Sequence, residues 1–83
     1  MSLANAIDVL VLTPQSILFR GQAVRVRLPG EQGIFEVLIN HKPILSLLLL
    51  GEIVVDRKSI PIKRGIAKLV NNKIFAIVEE SDG

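Results

Sequence analysis

The chain has 83 residues, no cysteine, one histidine and a formal net charge of +2. That length holds one small domain, able to bury roughly 60–65% of the surface its unfolded chain exposes, and the lack of cysteine excludes disulfides and thiolate metal sites. The charge is uneven: residues 1–78 carry ten Lys and Arg against Asp8, Glu31, Glu36, Glu52 and Asp56, whereas Glu79, Glu80 and Asp82 give the last residues an acidic tip.

The opening "MSLANAIDVLVLTP" has no basic leading segment and carries Asp8 inside its apolar run, unlike a secretory signal. Ile7 to Thr13 reads as a first strand ended by Pro14, and Ser16 to Gly21 as a second closed by its glycine. In "QAVRVRL" the apolar residues alternate, so Val24, Val26 and Leu28 are expected on one side of a half-buried strand and Ala23, Arg25 and Arg27 on the other. Pro29-Gly30 punctuates the chain before another strand, "GIFEVLI", and "NHKP" follows as a turn with His41 at its apex. The run from Ile44 to Asp56 is broken at Gly51. Its longest uninterrupted apolar stretch, Leu47 to Leu50, is far short of the roughly 20 residues a membrane helix needs. Arg57 and Lys58 mark a bend into "SIPIK". "GIAKLV" and "KIFAIVE" are then separated only by Asn71-Asn72, a hairpin signal because such turns need positive φ.

No segment has the length and one-sided apolar face of a surface helix. The expected fold is therefore all-β, a small β-sandwich of short antiparallel strands, with Val24, Val26, Leu28, Phe35, Ile74 and Ala76 facing inward. Hydrophobic content of 49% and a mean hydropathy of +0.49 are high for so small a domain. Either the core is unusually large for the length, or a partner covers one face.

Several short motifs stand in order along the chain: Thr13-Pro14, Phe19-Arg20-Gly21, Pro29-Gly30, Gly33, His41, Pro43, Leu45, Gly51, Gly65 and "NNKIFAIVE". In order and spacing they resemble the N-terminal β-sandwich domain of the epsilon subunit of bacterial F-type ATP synthases, from about Asp8 to Glu80. The resemblance implies a non-catalytic central-stalk subunit that links gamma to the c-ring and couples ion translocation to ATP synthesis. It also implies a place on the cytoplasmic face of the bacterial inner membrane, reached only through the complex, with no cofactor. The family's loop "GELGILPGH" appears here as "GIFEVLINH". Ile34 thus replaces a glutamate, Glu36 a glycine and Ile39-Asn40 a Pro-Gly pair, while Lys63-Arg64 replace the start of a later "SGG".

By the same resemblance, Glu31, Gln32, Gly33, Ile34, Asn40, His41, Lys42 and Pro43 are the expected contacts with gamma or the c-ring. His41 has a second reading, in which it bonds its own turn and shapes it. Catalysis is not expected of it, because no second histidine, cysteine or orienting group accompanies it. Glu31 and Glu36 lack the aromatic sugar cleft that paired-carboxylate chemistry needs, and there is no "GxxxxGK[ST]" for nucleotide hydrolysis. Residues 1–83 are expected to be a single sandwich domain without the helical hairpin that follows it in long family members, and hence without hairpin-type inhibition or ATP binding. Arg25 and Arg27 read as a solvated strand face ahead of a binding stripe, and the rival reading, a small basic β-barrel that binds nucleic acid, fits the length, the strands and the basic body. It is weakened by having only Phe19, Phe35 and Phe75 as aromatics, all in apolar strand contexts that suit a core better than a base-binding face.

Overall fold

Residues 5–81 are described by a computed structural model, and the period-two segments all become strands. These are β1 (Ile7–Leu12), β2 (Ile17–Ala23), β3 (Val26–Gly30), β4 (Gly33–Val37), β5 (Ile44–Leu48), β6 (Gly51–Val55), β7 (Lys58–Val70) and β8 (Lys73–Glu80). No helix occurs among the described residues.

One layer runs β2-β1-β8-β7-β5. The other is built from β4, β3, β6 and the first part of β7, since β6 pairs with both β3 and β7. β7 belongs to both layers: residues 58–62 pair with β6, and residues 65–69 pair with β5. Between them the register against β8 slips at Ile62/Arg64, leaving Lys63 as an extra residue. Such a bulge bends a strand and sharpens its twist, which lets one strand turn the corner from sheet to sheet. Beyond the corner, Gly30 pairs with Leu48, and the Leu49 N–H donates to the Pro29 carbonyl at 2.8 Å.

The core lies between the layers. Ile7, Val9 and Val11 from β1, Ile74, Ala76 and Val78 from β8, and Ala67 and Leu69 from β7 meet Val26, Leu28, Val37, Ile53, Val55, Ile60 and Ile62 from the other side. No polar side chain is buried among the described residues. Each buried Ile, Leu or Val contributes about 1.5–3 kcal/mol relative to exposure, with no desolvated polar group to offset it.

Val26, Leu28, Ile74 and Ala76 face inward as the alternation predicts, and Phe35 packs partly buried against the core. Val24 does not: it is 62% exposed, and Ala23 is buried in its place. The alternation breaks because β2 ends at Ala23 and the chain bends before β3. The Oδ1 atom of Asp56 accepts the N–H groups of both Val24 and Arg25, at 2.9 and 3.1 Å, and the Asp56 N–H donates to the Arg25 carbonyl. A carboxylate 32 positions away sets this bend. Three further differences stand out. "SIPIK" and "GIAKLV" are halves of one 13-residue strand rather than two strands. β1 and β8 pair parallel in an otherwise antiparallel fold. Phe75 points outward and is 43% exposed. The Asn71-Asn72 turn forms as expected, at φ 51° and 60°.

Candidate functional site

The first layer has a second face, turned away from the core, and its side chains line up across the strands. Leu47 of β5 stands opposite Ile66 of β7, Ile66 opposite Ile77 of β8, Ile77 beside Leu12 of β1, and Leu12 beside Ile17 of β2. This is an apolar row five strands wide, with Leu47 and Ile17 each 52% exposed. The next row is mixed: Leu45, Lys68, Phe75, Leu10 and Arg20. Beyond it the row is polar, with Lys73, Asp8 and Gln22, and the Gln22 Nε2 donates to Asp8 Oδ1 at 2.9 Å.

At one end of the apolar row lies an open groove of about 960 Å³, with Leu47, Ile66 and Ile77 in its lining. Its wall is the loop at Thr13 to Ser16, which holds its own shape. Thr13 Oγ1 accepts from the N–H groups of Gln15 and Ser16 at 3.1 and 3.0 Å, and the Thr13 N–H donates to the Ser16 carbonyl at 2.8 Å. The Thr13-Pro14 motif is thus a turn-builder. Charged groups rim the same groove, where Glu79 pairs with Arg64 Nε at 3.1 Å and reaches Lys63 Nζ at 4.0 Å. An apolar floor inside a polar rim is the anatomy of a protein interface.

The residues singled out in the sequence divide into two groups. Glu31, Gln32, Gly33, Ile34 and His41 line one open groove together with Ile44 and Leu45. Gly33 turns the chain there at φ 116°, an angle that strains any residue with a Cβ. Ile34 is 76% exposed. Asn40, Lys42 and Pro43 are exposed but do not line that groove. Asn40 instead clasps the β7–β8 turn: its N–H donates to Asn72 Oδ1 at 2.6 Å, and Asn72 Nδ2 donates back to Asn40 Oδ1 at 3.2 Å. The His41 ring nitrogen Nδ1 bonds the Lys42 carbonyl at 2.8 Å, and its backbone N–H donates to Leu38. His41 therefore shapes its own turn while one side of it lines the groove. Among the described residues no three His, Asp or Glu side chains converge as a metal site would require.

Sequence reading missed the apolar row, although the hydrophobic excess signalled some such face. Its members come from five strands, and only the pairing registers bring them side by side.

Residues 6–81 match the family described as "ATP synthase, Delta/Epsilon chain, beta-sandwich domain". Among curated relatives, the ATP synthase epsilon chain of Sulfurimonas denitrificans is 34% identical over 74 residues, covering 83% of this chain and 57% of that one. The ATP synthase epsilon chain of Rickettsia typhi is 34% identical over 82 residues, covering 90% of this chain and 74% of its own length. The chain thus spans less than two thirds of the Sulfurimonas relative. Among solved structures, a chain of the Tetrahymena thermophila mitochondrial ATP synthase central stalk and c-ring superposes with a TM-score of 0.73 over 89% of this chain and 63% of that one. At 13% identity, that likeness speaks to the fold.

Proposed function

The chain belongs to the β-sandwich domain family of ATP synthase delta and epsilon chains, and from that membership we propose that it is a non-catalytic subunit of the central stalk of an F-type ATP synthase. It holds gamma on one surface and rests on the c-ring with another, so that ring rotation reaches the catalytic head. The complex places it at the cytoplasmic face of a bacterial inner membrane, attached through its partners alone.

The observation that carries this reading is the apolar row Leu47, Ile66, Ile77, Leu12 and Ile17, a surface that water solvates poorly. It is assigned to gamma. The turns at Glu31 to Ile34 and Asn40 to Pro43 are assigned to the ring. The second suits a contact that must hold under torque, because the Asn40–Asn72 clasp ties its backbone to the β7–β8 turn. A rotor element has to transmit force without deforming, and an all-apolar core spanning both layers is packed close to crystal density and resists compression.

The nucleic-acid reading is not favoured. Phe19 and Phe35 pack partly buried against the core, which leaves Phe75 as a single exposed ring with no second base platform.

The test is Ile66→Asp, titrated against purified gamma. The side chain is already 42% exposed, so the fold should survive. A carboxylate at the centre of a desolvated apolar interface should weaken binding by roughly a hundredfold or more. Unchanged gamma affinity would remove the row from the interface.

A further inference from the structure

At the far end of β3 from the Glu31-Gln32 turn, strand pairing gathers cations. Val26 pairs with Val55 and Val55 with Lys58, which places Arg25, Arg57 and Lys58 around the β6–β7 turn and the β2–β3 bend, while Arg27 lies on the outer face of β3 opposite Glu36. The three cations at the turn and bend are exposed. The carboxylate among them, Asp56, uses Oδ1 to receive the N–H groups of Val24 and Arg25. Among the described residues no carboxylate lies within ion-pair distance of any of these three cations. Lys58 Nζ sits 5.8 Å from the centre of the Phe19 ring, which orients that ammonium without neutralising it.

From this arrangement we propose that this pole of the sandwich is a recognition surface for an acidic protein segment. Two of the three cations are arginines, whose planar forks pair bidentately with carboxylates. Val24 beside them is 62% exposed, a contact of the size a single aliphatic residue covers. A nucleic-acid strand would want exposed rings to stack on, and the ring here is half-buried with Lys58 over it. The surface is separate from the apolar row, and its chemistry does not depend on the gamma assignment.

The experiment titrates the whole chain with a fluorescent deca-glutamate peptide, a single-stranded oligonucleotide, and vesicles of neutral and anionic phospholipid at two salt concentrations. The peptide should bind in preference to the other two probes and weaken as salt rises. The double substitution Arg25→Gln/Arg57→Gln should reduce peptide affinity roughly tenfold and flatten its salt dependence. Lys42→Gln, which removes a cation elsewhere, should leave it unchanged, as should Ile66→Asp, so that loss of gamma binding and loss of peptide binding are scored apart. Arg57→Glu supplies a second variant should the double one fold poorly. Peptide binding that is absent, indifferent to both arginine variants, or weaker than that of oligonucleotide or vesicle would overturn the proposal.

Discussion

A Cβ added at Gly65 would stand 2.7 Å from the Ile77 carbonyl oxygen and 2.7 Å from Val78 Cγ1, so β7 and β8 meet there only because nothing projects between them. Gly65→Ala should cost about 1–3 kcal/mol through overpacking, read as a lower urea midpoint with an unchanged slope. Asn72 does two jobs, tolerating φ 60° and receiving the Asn40 N–H, and two substitutions separate them. Asn72→Gly keeps the backbone angle and loses the bond, for about 1 kcal/mol. Asn72→Ala also strains the backbone and should cost about 1 kcal/mol more. Equal losses for the two would show that the angle itself costs nothing. The asparagine turn was legible in the sequence because its chemistry is local. The inversion of Ala23 and Val24 was not, since its cause is Asp56, a residue distant in the chain and adjacent only after folding.

Among elements, β7 sets the architecture. Its first half faces β6 and its second half β5, with the extra residue Lys63 at the corner. Deleting Lys63 would close the ladder, with Ile62 against Glu80 and Arg64 against Glu79 in unbroken alternation, so that Ile60 and Ile62 keep facing inward while the bend that turns the corner is lost. Loss of the bend should strain the packing between the layers by about 1–3 kcal/mol, read as a lower urea midpoint for a deletion variant that keeps the β-sheet circular dichroism of the parent. Amide exchange should be slowest in β1, β7 and β8, each flanked by strands on both sides, and faster along the edge strands β2 and β4. Existence and approximate bounds of most strands followed from period two. The continuity of β7 did not, because Pro61 and Lys63-Arg64 carry the marks of a break. Pro61 is tolerated there, and its carbonyl still accepts from the Ser81 N–H at 3.2 Å.

For the whole molecule, the hydrophobic excess divides between an interior without polar side chains and an apolar row outside it. The row accounts for what composition left open, and no window of sequence contains it. An isolated domain that exposes such a band should associate with itself at high concentration. Sedimentation of the parent should show average mass rising with concentration above 9.1 kDa, while Ile66→Asp stays at the monomer value. The candidate turns were partly legible, because glycine, asparagine and proline advertise them. Their division between a groove lining and a clasp depends on Asn72, which lies on another hairpin.

The parallel pairing of β1 with β8 joins Asp8 to Lys73, so the first strand formed waits for the last before its inner edge is satisfied. The apolar row runs through that junction, since Leu12 meets Ile77 across it. A nascent chain lacking β8 therefore has no finished apolar row, and neither does one clipped within that strand. Completion of that face is thereby tied to completion of the sandwich, because its middle cannot form before the last strand is in place.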